Sequence, residues 1–224
     1  MRLLTWSDKM NKAVVLLSAG LDSTVSLAYG VKTLEVVLGL TFNYGQRAAK
    51  KEIEQSKKIL EFYSIPHEVV ELPFLQKITK TALVSAKEDI PSDVDLNDTA
   101  ATINSMAKVW VPNRNGLFIN IAASYAESLG AKYIITGFNA EEAKTFSDNS
   151  REFVLAVNSA LKYSTQNQVK VISFTQNLEK EEIYRLGEKI GAPLDLIWSC
   201  YYGGNEMCGK CESCLRLIRA KGGK

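Results

Sequence analysis

Histidine is almost missing from this chain: His67 is the single one in 224 residues. It falls inside a predicted strand, so histidine-dependent acid–base catalysis does not carry the chemistry. No run approaches the roughly 18 uninterrupted apolar residues that a membrane helix needs, which excludes a spanning segment. The first twelve residues are charged with only a short apolar start, unlike a secretory leader. Lys and Arg exceed Asp and Glu by only 27 − 25 = 2, far from the surplus of a strongly basic nucleic-acid binder. Cysteine is absent before Cys200, which argues against a secreted disulfide scaffold. These absences lead to the expectation of a cytoplasmic protein that acts on small molecules, with neither membrane nor direct nucleic-acid contact.

Apolar runs recur as AVVLL (13–17), VVLGLTF (36–42), HEVVEL (67–72), KYIITGF (132–138) and KVISF (170–174). Continuous rather than alternating runs suit strands covered on both faces, as in a parallel sheet. Helical spacing over about 23–33, 46–63, 116–129, 150–162 and 179–190 completes a βαβ alternation. An α/β sandwich with right-handed crossovers is predicted. The interval 85–111 is acidic, contains Pro91 and shows no sustained apolar period, so it reads as a flexible loop or an interface.

The turn in AVVLLSAGLDSTVSL (13–27) joins a strand to a helix through small polar residues. Helix N-termini present free N–H groups and a favourable dipole to anions, and Ser18, Ala19 and Gly20 let a phosphate approach the backbone. Ser23 and Thr24 add hydroxyl donors. Neither G-x-x-x-x-G-K-[ST] nor G-x-G-x-x-G occurs. Asp22 beside a phosphate calls for a cation, for which Mg²⁺ fits; as the alternative, Asp22 is only an N-cap.

Cys200, Cys208, Cys211 and Cys214 form C-x₇-C-x₂-C-x₂-C, with Gly203, Gly204 and Gly209 supplying tight turns. Four thiolates suit a closed tetrahedral Zn²⁺ site. An iron–sulfur cluster is the main competitor, and paired disulfides fit the compartment poorly.

S-A-G-L-D-S-T resembles the S-G-G-x-D-S signature of the PP-loop ATP pyrophosphatase superfamily. Together with YGQR (44–47), WVPNRNGLF (110–118), ITGFNAEEAKTFSDNSREF (135–153) and CYYGGNEMCGKCESCLR (200–216), the chain resembles the 7-cyano-7-deazaguanine synthase family over about Lys12 to Arg216. Three positions depart from the pattern: Ala19 and Asn113 stand where glycine is usual, and Ala48 where histidine is common.

The resemblance implies an adenine nucleotide alpha hydrolase-like domain over 12–195, after an extension at 1–11 and before a zinc-binding element at 196–224. It implies ATP, structural Zn²⁺ and Mg²⁺, a homodimer, and conversion of 7-carboxy-7-deazaguanine and ammonia to the nitrile through adenylated intermediates. Leu17, Ser18, Ala19, Gly20, Leu21, Asp22, Ser23 and Thr24 would hold the nucleotide phosphates, with Tyr44, Gln46 and Arg47 by its base or ribose. Asp22 and Arg114 would be catalytic, Arg114 because it lies between a strand-like run and a helix start. Lys144 is a further candidate cation. Asn115, Glu141, Asp148, Arg151 and Phe153 would meet the deazaguanine, and the four cysteines the metal. Each has a bland alternative in packing, capping or loop support. Another PP-loop enzyme, a tRNA thiolase or an amidoligase, and a silent nucleotide- and zinc-binding module are the competing functions.

Overall fold

The computed structural model describes residues 11–223, so the expected extension at 1–11 lies outside the described residues except for its last position. Five strands, β1 (Lys12–Leu16), β2 (Glu35–Asn43), β3 (His67–Glu71), β4 (Tyr133–Ile135) and β5 (Lys170–Ile172), form one sheet in the order β3-β2-β1-β4-β5. Every pairing is parallel. Because the connections leave β1 in one direction to β2 and in the other to β4, the carboxyl ends of β1 and β4 border a topological switch point.

Period-two alternation sends β1 side chains to two cores. Val14 packs with Leu40, Ile134 and Val171 under α5 (Arg114–Ser128) and α7 (Arg151–Ser164). Ala13, Val15 and Leu17 pack with Leu27 of α1 (Leu21–Gly30) and Ile59 and Leu60 of α2 (Ala49–Phe62). Helices thus cover both faces, which is why the strand sequences read as unbroken apolar runs. Gly39 is in β2 because a Cβ there would lie 2.4 Å from Leu60 Cδ1. A third cluster joins α1 through Leu21 and Val25 to Ile183 of α8 (Lys180–Ile190) and Leu217 of α9 (Glu212–Ala220). Short helices α3 (Pro73–Ile78) and α6 (Ala140–Ala143) lie in the connections after β3 and β4. No helix among the described residues is long and apolar enough to cross a membrane.

The interval expected as a flexible loop or interface holds a helix instead, α4 (Thr99–Val109). Its buried positions are Thr102, Ser105 and Val109, so the inward stripe is largely hydroxylic and leaves no apolar period to read. Ser105 Oγ donates to Glu212 Oε2, which binds α4 to α9. The Asp98 carboxylate starts the helix by accepting from the Ala100 and Ala101 amides at 2.8 and 3.2 Å. Asp98→Ala should therefore lower stability by about 1 kcal/mol in urea denaturation, with an unchanged m-value.

Candidate active site

At the end of β1 the chain turns through residues 17–20 into α1, whose first amides have no i−4 carbonyl to meet. Ala19 adopts φ 58 and is fully buried. A Cβ in the left-handed region costs about 1–2 kcal/mol, and neighbours hold it there: Trp198 N–H donates to the Ala19 carbonyl at 2.8 Å. Asn113, the second departure from glycine, also has positive φ, 50°, which asparagine tolerates better than alanine.

The loop after β4 closes on α1. Ser26 Oγ donates to the Thr136 carbonyl at 2.7 Å and accepts from Phe174 N–H at 3.2 Å. Gly137 passes so near that a Cβ there would lie 2.5 Å from Ser23 N. Glycine keeps the first turn of α1 and the β4 loop in direct backbone contact.

These elements line a cavity of about 270 Å³. Of the expected site residues it brings together Leu17, Ser18, Gly20, Leu21, Asp22, Ser23, Tyr44, Gln46, Arg114 and Asn115. It adds groups that had not been singled out: Glu52, Phe118, Glu142, Lys180 and, from α9, Glu212 and Arg216.

Lys180 is the most consequential of these. Its Nζ lies 2.5 Å from Asp22 Oδ2 and 2.6 Å from Glu142 Oε1, with 8% of the side chain exposed. Burial pushes the Asp22 carboxyl up to about 6, although the Lys180 charge pulls the other way. A raised carboxyl favours the protonated folded state, so this contribution to stability is present below about pH 3.8 and is lost as pH rises through about 6. Ionised Asp22 is therefore kept at a cost. For Glu142 burial acts upward, but Lys180 and two arginines outweigh it and hold the carboxyl below its ordinary value. Burial works against the charged Lys180 as well, and the two carboxylates more than offset it. Asp22 is no cap: Gly20 is the N-cap of α1, and Asp22 Oδ1 is enclosed without a hydrogen-bond partner. That orphaned carboxylate oxygen is a hard ligand of the kind a divalent cation takes, while the free N–H groups beside it suit phosphate oxygens.

Across the cavity, Arg114 begins α5 and donates to Tyr44 Oη at 3.3 Å. Burial opposes its charge, but Tyr44, Asp148 and Glu52 together leave the guanidinium more firmly protonated than usual. Phe42 and Phe118 stack at 4.0 Å, which gives the wall between Arg114 and the sheet an aromatic face. Gln46 latches the β2–α2 loop: Oε1 accepts from Tyr44 N–H, and Nε2 donates to the Phe42 carbonyl and to Glu52.

The other expected residues stand outside this cavity's lining. Arg47 donates to the carbonyls of Ser85 and Glu88 and supports that loop. Glu141 points to Arg216 and Arg219. Lys144 forms an exposed pair with Glu179, and Arg151 is exposed at the start of α7. Phe153 packs edge-on against Phe138, and its N–H is taken by the capping Ser150 Oγ. Asp148 stands behind Arg114, its carbonyl accepting from Asn115 Nδ2 at 3.3 Å. Thr24 and Ala19 are buried beneath the turn. His67 hydrogen-bonds Thr41 Oγ1 within the sheet.

The four cysteine sulfurs lie within 4.8 Å of one another, and Cys208 and Cys214 are 3.9 Å apart. Amides of Tyr202 and Cys208 point at Cys200 Sγ, and those of Lys210 and Cys211 at Cys208 Sγ. Hydrogen bonds from Cys211 and Cys214 draw the Cys200 thiol far down, while the donating Cys214 is held up. Four sulfurs gathered this closely are a set that a metal ion completes by displacing thiol protons. Cys200, Cys211 and Cys214 pack in the same apolar cluster as Val15 of β1, and Cys200 also borders the cavity.

A small-residue turn suited to an anion at the switch point of a parallel sheet, backed by a buried acid–lysine–acid cluster and a four-cysteine element, defines an α/β protein with a ligand-sized site at the carboxyl edge of its sheet. The family model described as queuosine biosynthesis protein QueC matches residues 12–223, and the chain belongs to that family. It is 78% identical over 214 residues to the 7-cyano-7-deazaguanine synthase of Carboxydothermus hydrogenoformans, covering 96% of this chain and all of that one. Relatives of the same description from Pelotomaculum thermopropionicum and Methanosarcina mazei are 54% and 49% identical, each over 93% of this chain and 96% and 93% of theirs. Among solved structures, a 4-thiouridine synthetase–RNA complex with bound ATP aligns with TM-score 0.53 and 24% identity, over 83% of this chain and 42% of that one. That likeness is one of fold.

Gly137→Ala should cost about 1–3 kcal/mol in urea denaturation, since backbone atoms must move apart. Gly20→Ala should be tolerated, because its Cβ meets only Ser18 Oγ at 3.5 Å.

Proposed function

We propose that this chain makes 7-cyano-7-deazaguanine from 7-carboxy-7-deazaguanine, ammonia and ATP. The observation that carries the reading is the cavity at the switch point, where the anion-holding turn, the Asp22–Lys180–Glu142 cluster and Arg114 converge. The family and its relatives' activity supply the substrates.

In this reading the α1 amides, Ser18 and Ser23 hold the pyrophosphate end of ATP, while Tyr44 borders the nucleoside. The deazaguanine ring lies along the Phe42–Phe118 face, with its carboxylate turned to Arg114. Asn115 and Asp148 keep that arginine and its loop in place. A carboxylate oxygen attacks the α-phosphorus and pyrophosphate departs; ammonia then displaces AMP to give the amide. The amide oxygen attacks the α-phosphorus of a second ATP as pyrophosphate and one N–H proton leave, and loss of AMP with the remaining N–H proton gives the nitrile. Arg114 and the α1 amides meet the charge that builds up in each transfer without having to reorganise.

Mg²⁺ would be held at Asp22, whose Oδ1 lacks a partner, and when bound supplies charge neutralisation to the phosphates. Zn²⁺ would occupy the four cysteines as a structural ion, since four protein thiolates leave no open position. The same four-way gathering consumes every cysteine, which disfavours a thiolase. A cytoplasmic homodimer without nucleic-acid partners is part of this proposal. The nearly balanced charge supports it, and Leu155 and Tyr163, 57% and 87% exposed on α7, offer an apolar contact face.

Purified protein incubated with the acid, ammonia, ATP and Mg²⁺ should yield the nitrile by mass spectrometry; ATP binding without acid-dependent turnover would refute the assignment. Asp22→Asn should lower turnover by roughly 100-fold or more yet remain folded by circular dichroism, because Lys180 keeps Glu142. Metal analysis should find about one zinc per chain; stoichiometric iron would overturn that part.

A further inference from the structure

Four acids border the reaction cavity: Asp22, Glu52, Glu142 and Glu212. Three of them are held by a cation. Asp22 and Glu142 share Lys180, and Glu212 binds Arg216 while accepting from Ser105. Glu52, in the first turn of α2, has only a neutral partner: its Oε2 accepts from Gln46 Nε2 at 2.8 Å. Arg114 acts on it from a distance, its guanidinium donating to Tyr44 instead. Burial pushes the Glu52 carboxyl above its ordinary range, because neither the Gln46 amide nor the Arg114 charge makes up for the lost water.

Gln46 fixes what this carboxylate meets. Its Oε1 accepts from Tyr44 N–H at 2.9 Å and its Nε2 donates to the Phe42 carbonyl at 2.9 Å, so the N–H side of the amide faces Glu52. One carboxylate oxygen is thereby engaged. The other takes no hydrogen bond from the described residues and is not sealed off, and the side chain lines the cavity together with Phe42, Tyr44 and Phe118. An ionised carboxylate only accepts, and a desolvated one short of donors is costly. This lobe of the cavity calls for a ligand edge that donates.

Purine-like rings differ in what they can offer such a group. The 7-deazaguanine ring sets N1–H beside its 2-amino group, two donors for one carboxylate. Adenine sets its 6-amino group beside the N1 lone pair, which the same carboxylate repels. We infer that Glu52 selects the deazaguanine ring, its carboxylate accepting from N1–H and the 2-amino group, with Gln46 as a positioning residue behind it; the inference rests on the function proposed above. A carboxylate has about four lone-pair sites, so Oε2 serves Gln46 and the ring together. Arg114, in the lining of the same cavity, is left for the ring's own carboxylate.

Acid-driven ATP–pyrophosphate exchange with the full chain tests this, run with 7-carboxy-7-deazaguanine and with the analogue that lacks its 2-amino group. For wild type, kcat/KM should be about tenfold or more higher with the acid than with the analogue, as for a hydrogen bond to a charged group. In Glu52→Gln, Gln46 keeps the amide oxygen and the new N–H₂ faces the ring, so that ratio should fall to near one while the KM for ATP stays close to wild type. Equal use of the two compounds by wild type would overturn the inference, whether or not the variant folds. A variant that keeps the wild-type ratio would overturn it too. So would a KM for ATP that rises as much as that for the acid, by placing Glu52 at the adenine. Wild type without exchange on either compound would instead refute the function proposed above, and this inference with it.

Discussion

Lys180 carries a positive charge into the interior at the first residue of α8, where the helix dipole opposes it. Two carboxylates from different parts of the chain, Asp22 of α1 and Glu142 of α6, hold it there. Removing one partner of a buried pair commonly costs about 3–5 kcal/mol, so the cluster pins three helix starts to one point. That point lies at the carboxyl edge of β1 and β4, where the parallel sheet leaves its crevice. Burial also lifts the Asp22 carboxyl to about 6, and its second oxygen stays without a hydrogen-bond partner.

The cysteine element belongs to this framework rather than to an appendage of it. Trp198 reaches the Ala19 carbonyl and helps to hold the left-handed turn, and α9 sends Glu212 and Arg216 to the cavity wall. A metal that gathers Cys200, Cys208, Cys211 and Cys214 fixes the segment before α9 and the N-cap of α9 together, Cys211 being that cap. A metal held there would act on the cavity wall through α9, with no open coordination position of its own.

Much of this was legible beforehand for identifiable reasons. Strands buried on both faces leave unbroken apolar runs, and the small-residue turn and the cysteine spacing are local. What escaped depended on distance or helix phase. Helix α4 buries Thr102 and Ser105 and so lacks an apolar stripe. Lys180 looked like an ordinary lysine among glutamates, although a cation at a helix start, against the dipole, was a usable signal. Glu141 and Glu142 are indistinguishable until the orientation of α6 turns Glu142 to the cavity and Glu141 to Arg216 and Arg219. Arg47 is taken up by carbonyls some forty residues away.

The central claim is that the cavity transfers AMP to a carboxylate oxygen and then to an amide oxygen. It is tested most directly by following oxygen from 7-carboxy-7-deazaguanine labelled with ¹⁸O at both carboxylate positions. Mass spectrometry of the products should find both labels in AMP, one delivered by each activation. Label released into water or inorganic phosphate, with unlabelled AMP, would contradict the account.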